Sequence, residues 1–198
     1  VSHLVRTECP SKGKSGCEGV GQLALGACVW NADMRKGDDE WMYGCSEKKR
    51  PSGQISAIIP WWGWRYKWGS GPAWDIALFR LTYALWYYYG DEEIARRMYP
   101  CLKRYYNYLS SYDKHGLLCI GLGDWNYPKK RTFSVCPTEL TDSGYYKQIS
   151  HILGTFAKLL GASAADNYFS ADHRINEAIT RKHFSDGIIT ALASQTYY

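Results

Sequence analysis

Between residues 72 and 112 the chain carries two helix-length runs of amphipathic sequence parted by nothing more than Gly90-Asp91. Helices joined by so short a link must fold back on each other. The first run, Pro72 to Tyr89, opens on a proline, whose missing N–H would be unbonded in a first turn anyway. Leu78, Leu81, Leu85 and Tyr88 fall on one stripe at spacings of three and four. Gly90 is expected to stop this helix and Asp91 to cap the next. The second run, Glu92 to Tyr112, sets Ile94, Met98, Cys101, Leu102, Tyr105 and Leu109 on one side. Pro100 inside it is expected to kink or split it.

The rest of the chain repeats that logic. Residues 1–17 read as an irregular lead-in, and Gly19 to Met34 as a helix through Val20, Leu23, Ala24, Ala27, Cys28, Trp30 and Asn31. Residues 35–71 and 113–137, rich in Gly and Pro, read as long ordered loops. Thr138 or Thr141 is expected to cap a helix to about Leu160, with Asp142 an acid of its first turn. Gly161-Ala162-Ser163 makes a tight turn into a helix over Ala164 to Phe184, with Tyr168, Ile175, Ala178, Ile179 and His183 facing the core. Residues 188–198 look like the start of a further element, and strand patterning is almost absent. Short links make antiparallel helix pairs, and long loops joining the pairs would gather at one end. That is the plan of an α/α toroid; a plain helical bundle is the alternative.

Composition narrows the function. Trp (9) and Tyr (17) are abundant, and such rings can cover the C–H face of a sugar while their N–H or O–H meets hydroxyls; core filling is the competing use. The net charge of +5 is scattered through Lys12, Lys14, Lys48, Lys49, Arg50, Lys129, Lys130 and Arg131. Nucleic-acid binding would need a longer basic stripe. No apolar run reaches the length of a membrane span. The seven cysteines form no CxxC pair, which argues against a zinc ribbon or a thioredoxin-like site. Reduced thiols in a cytoplasmic setting are the expectation, with Cys28 and Cys101 as small core residues. No His, Cys and carboxylate set has metal spacing, His151 is expected to be buried and satisfied, and no cofactor is implied.

The loop Glu8-Cys9-Pro10-Ser11-Lys12-Gly13-Lys14-Ser15-Gly16-Cys17-Glu18-Gly19-Val20-Gly21-Gln22 resembles the signature loop of the α-L-rhamnosidases of glycoside hydrolase family 78, Asp-Cys-Pro-x-Arg-Glu-Arg-x-Gly-Trp-x-Gly-Asp-Ala-Gln. Cys9, Pro10, Gly16, Gly19 and Gln22 keep its framework. Glu8 stands at its first Asp, Lys12 at its Arg, Gly13 at its acidic catalyst, Cys17 at its Trp and Val20 at its last Asp. The similarity continues through Ser52-Gly53-Gln54-Ile55, Ile59-Pro60, Gly71-Pro72-Ala73-Trp74, Tyr88-Tyr89-Gly90-Asp91, Gly123-Asp124-Trp125, Thr141 to Tyr146, Leu159-Leu160-Gly161 and Gln195-Thr196. Order and spacing, more than any one motif, carry the resemblance.

The resemblance implies an all-α fold, an (α/α)6-barrel-like six-hairpin toroid, with residues 1–198 a partial catalytic-like domain making an incomplete half of the barrel. It implies inverting hydrolysis of terminal L-rhamnosides, which needs an acid and a base about 6.5–9.5 Å apart so that water fits between them. The acid's position is Gly13, and the family's base lies beyond Tyr198. The expectation is therefore a rhamnosidase-like glycoside hydrolase module that is inactive or degenerate, with no catalytic residue of its own. Glu8, Lys12, Trp74, Asp124 and Trp125 are the expected substrate-binding residues, with Trp61, Trp62, Trp64, Tyr66 and Trp68 as an aromatic rim. Asp124 could equally cap a local turn. A relocated acid, Glu8 or Glu18, is the remaining route to activity. The alternatives are a non-catalytic rhamnose- or carbohydrate-binding protein and a helical scaffold. Expected partners are an L-rhamnose-containing glycan or glycoside and a second copy at the open barrel edge, with neither nucleic acid nor membrane.

Overall fold

Helix α1 runs Pro72–Tyr89 and helix α2 runs Glu92–Ser110, and the two residues between them act as expected. Gly90 donates its N–H to the Trp86 carbonyl at 2.9 Å. The Asp91 carboxylate Oδ1 then accepts the N–H of Ile94 at 2.9 Å, satisfying one orphan donor of the next helix. Asp91→Ala is expected to remove about 1 kcal/mol of unfolding free energy, measured by urea denaturation; an unchanged midpoint would show that the cap is redundant.

In the computed structural model the described residues are 25, 28–31, 42, 50–56, 66, 70–123 and 136–190. Among them no helix is long and apolar enough to cross a membrane. The chain forms two units, one of residues 1–70 with 74–108, the other of residues 71–73 with 109–198.

The first unit is organised by α1. Ile76, Leu78, Phe79, Leu81 and Leu85 are all buried, so this helix is covered on more than one side. Tyr88 leaves the expected stripe. It is 46% exposed and packs edge-on against Trp30, itself 76% exposed, with ring centroids 5.5 Å apart. Ring-on-ring packing substitutes for core burial at this end of the helix. The α2 stripe is as expected, with Ile94, Met98, Cys101, Leu102, Tyr105 and Leu109 all buried. Pro100 does not split α2. Pro100 and Arg96 are both exposed, so the carbonyl that loses its N–H partner can bond water instead. Residues 28–31 are helical, within the run expected to be so. Met42 is helical and fully buried inside a stretch read as loop.

The second unit is built on a hairpin of α3, Thr138–Leu159, and α4, Ala165–His183. Its link is a Schellman turn, with Ala162 N–H on the Ala157 carbonyl at 2.8 Å and Gly161 N–H on Lys158 at 3.2 Å. Paired contacts fix the antiparallel register. Gly154 leaves room for the Phe169 ring, Asp172 meets Lys147 and His151, and Glu139 meets Lys182 and His183. Neither threonine caps α3: the cap position is Pro137, whose carbonyl accepts the N–H groups of Leu140 and Thr141. Thr141 is buried and its hydroxyl lies 3.2 Å from the Cys136 sulfur.

His151 is not buried as expected: its side chain is 58% exposed and paired to Asp172 at 3.0 Å. His183 faces the core as expected, on Glu139 at 3.1 Å. After α4 a small antiparallel hairpin, β1 Phe184–Ser185 and β2 Ile188–Ile189, turns on Asp186 and Gly187 at φ of 51° and 76°. Both central residues have positive φ, the geometry that Asp-Gly favours.

Candidate functional site

Two motifs expected from sequence at a sugar site, one at Trp74 and one after residue 121, adjoin backbone held by described carboxylates, and the two anchors differ in kind. Trp74 sits half-buried in the first turn of α1. Beside it Asp75 is buried, accepting hydrogen bonds from the Ser70 hydroxyl at 2.7 Å and the Tyr105 hydroxyl at 2.6 Å. A carboxylate near a helix N-terminus also gains from the helix dipole. Asp75 therefore ties Ser70 and its own turn of α1 to Tyr105 of α2. Its signal in sequence is a lone acid in a run that is otherwise apolar down to Phe79, a pattern that does not by itself mark an anchor.

In the second unit residues 113–123 lead towards Gly123-Asp124-Trp125. The segment opens in a tight turn closed by a Lys114–Leu117 bridge. Asp113 holds this turn. Its carboxylate accepts the Gly116 N–H at 2.6 Å, pairs with the Arg174 guanidinium at 2.6 Å and receives the Tyr146 hydroxyl at 3.4 Å. Burial pushes the Asp113 carboxyl up, but Arg174, Gly116 and Tyr146 together hold it below the ordinary carboxylate value.

The segment is then clamped by the start of α3. Ser143 Oγ accepts the Leu118 N–H at 2.9 Å and donates to the Leu118 carbonyl at 3.4 Å. Asp142 Oδ2 accepts the N–H groups of Ile120 and Gly121, both at 2.7 Å. Asp142 is thus no exposed first-turn acid. The first-turn acid of α3 is Glu139, and Asp142, one residue past that turn, is fully buried. Burial pushes its carboxyl up to about 6 against the lowering effect of the two N–H donors. Gly123 lies against Thr138, and Gly71 abuts Gly121. The backbone that precedes Pro72-Ala73-Trp74 is therefore seated against the backbone that precedes Gly123-Asp124-Trp125.

Of the sequence-derived site residues, the structure places Trp74. Glu8, Lys12, Gly13, Val20, Asp124 and Trp125 lie outside the described residues, as do Glu18 and Trp61, Trp62, Trp64 and Trp68 of the expected rim. Tyr66 of that rim lies under the Arg50 guanidinium, 4.5 Å from the ring centroid. Sequence reasoning missed Asp75, and it noted Asp142 and Ser143 without their role; all three act by holding backbone.

Comparison with known proteins adds the family context. Residues 3–198 match the family model described as bacterial alpha-L-rhamnosidase 6 hairpin glycosidase domain. An alpha-L-rhamnosidase of Formosa agariphila is 25% identical over 186 residues, covering 86% of this chain and 19% of that protein. The alpha-L-rhamnosidase structure from Dictyoglumus thermophilum superposes with a TM-score of 0.86 at 25% identity, over 92% of this chain and 21% of that one. The Streptomyces avermitilis alpha-L-rhamnosidase, solved in complex with L-rhamnose, gives a TM-score of 0.83 at 20% identity, over 94% of this chain and 18% of that one. At that identity the likeness is one of fold. The chain spans about a fifth of the length of the relatives it matches.

Proposed function

The chain belongs to the bacterial α-L-rhamnosidase six-hairpin glycosidase family, and from that premise we propose that it is a glycosidase-type module that holds L-rhamnose without supplying the general acid for its release. The observation that carries this reading is the loop Glu8 to Gln22, which keeps the framework of the family's signature but has Gly13 where the acid belongs and Val20 at a further acidic position. Inverting hydrolysis needs a proton delivered to the departing oxygen as the bond breaks. Glycine has no proton to deliver, so the oxygen would have to leave as an alkoxide.

What remains is suited to holding a sugar. The rings of Trp74 and Trp125 offer faces to C–H surfaces. Asp124 and Glu8 accept hydrogen bonds from hydroxyls, and Lys12 provides a point charge where the family's arginine provides a two-pronged fork.

The test is calorimetric titration of the chain with L-rhamnose beside an aryl α-L-rhamnoside hydrolysis assay on the same sample. Saturable binding with no turnover is the expected result. Turnover would overturn the loss of activity, and absence of binding would overturn the pocket. Trp125→Ala is expected to weaken rhamnose binding by about tenfold, the scale set by one ring contact, with the helical circular dichroism unchanged. If that variant binds as the parent does, Trp125 does not line the pocket.

A further inference from the structure

The amides of Ile120 and Gly121 hang on one carboxylate. Asp142 is fully buried, its Oδ2 accepts two backbone N–H groups at 2.7 Å, and its Oδ1 has no hydrogen-bond partner among the described residues. A neutral acceptor would hold the same two amides without burying a charge. A buried acid with one oxygen unmet is unusual enough to need a reason. What it holds supplies one, because Gly123 and then Asp124-Trp125 follow directly in the chain.

We propose that Asp142 is a positioning residue, whose carboxylate fixes the backbone of Ile120 and Gly121 and whose gain or loss of one proton resets how firmly that segment is held, and with it the affinity for the sugar. The sugar half of this proposal rests on the rhamnose-binding reading above.

The two protonation states hold the segment differently. Ionised, Oδ2 accepts charge-assisted bonds, the shorter and stronger kind. Protonated, the same atom is a weaker acceptor. Burial brings the changeover to about pH 6, so both states are populated near neutrality. The groups around it act elsewhere. On the clamped segment, burial and the Asp142 charge push the Cys119 thiol up. Glu139, one turn earlier on α3, is pushed up by burial but held below its ordinary value by Lys182 and His183 of α4. Lys114, at the start of the segment, and Lys182 are cations. His183 lies on Glu139 at 3.1 Å, and its ring protons are followed separately.

The experiment is a pH series of amide-resolved NMR spectra of the whole chain, from about pH 4.5 to about pH 7.5, with rhamnose titrations at both ends. The amide protons of Ile120 and Gly121 are expected to move together with one midpoint near that of Asp142. Asp142→Asn abolishes the shared midpoint, whereas Ser143→Ala, which loses only the Leu118 bonds, keeps it. Wild-type amides without a shared midpoint overturn the proposal even if neither variant folds. Rhamnose should bind about tenfold more weakly on the acid side, the scale of one charge-assisted hydrogen bond, and Asp142→Asn should bind independently of pH. Titrating amides with a flat affinity overturn the positioning role. Titrating amides with no rhamnose binding at any pH support the proton-set clamp and overturn the rhamnose reading instead.

Discussion

Gly71→Ala is expected to remove about 4 kcal/mol of unfolding free energy, from left-handed strain of about 1–2 kcal/mol and steric overlap of about 1–3 kcal/mol. Gly71 sits at φ +74°, and a Cβ added there would lie 2.3 Å from the Cα of Gly121 and 3.0 Å from its nitrogen. Both neighbouring atoms are backbone, so no side chain can swing aside. Relief would require moving Gly121, whose N–H is committed to Asp142, or moving the start of α1 at Pro72. Gly90→Ala is the internal control: Gly90 has φ +68° with nothing within 4 Å, so it carries the backbone strain without the overlap. Urea unfolding of both variants separates the two effects. A Gly71→Ala loss no larger than that of Gly90→Ala would mean that the two backbones do not meet.

That contact also shows which parts of the molecule were legible in the sequence. Turns were legible where one residue type does one local job. Gly90 and Asp91 stop and cap helices, Gly161 begins a turn, and Ile94, Met98, Leu102 and Leu109 declare a buried stripe by spacing alone. The approximate bounds of α1 to α4 followed from such signals. The hairpin on Asp186-Gly187 was legible in principle, but strands of two residues carry too little pattern to register. The exposed setting of His151 goes with a partner, Asp172, twenty-one residues away. Local spacing holds no record of such partners.

The candidate site divides along the same line. Trp74 and Trp125 announce themselves as large rings in recognisable motifs. Asp142 reads in sequence as an ordinary first-turn acid, and Asp75 carries no role there beyond its place in a motif. Their role depends on Ser70 and Tyr105 in one case and on the amides of Ile120 and Gly121 in the other. The direction of a carboxylate, into the protein or out to water, is a tertiary property.

For Asp142 that direction has a thermodynamic signature, and it runs opposite to the usual behaviour of a carboxylate. The group's pKa rises from 3.8 to about 6 on folding, so between these values the folded chain binds more protons than the unfolded chain. Stability from this group is fully present below its unfolded value and is lost as pH rises through about 6. The full loss corresponds to about 3 kcal/mol. Asp113 and Glu139 act in the other sense, since both are lowered on folding. Their contribution is complete above their ordinary values and falls away only in stronger acid. The difference in unfolding free energy between wild type and Asp142→Asn, followed by urea titration against pH, isolates the Asp142 share. It should shift in favour of the asparagine variant as pH rises from about 4 to about 7 by about 3 kcal/mol, and then level off. A difference that stays constant would mean that Asp142 ionises as it does in water, and its burial would then have no energetic consequence. If the shift is found, the fold gives up stability near neutrality to keep a charge on Oδ2. The ionised form is also the one that grips Ile120 and Gly121 most strongly, so stability and a firmly held segment favour opposite protonation states of the same residue.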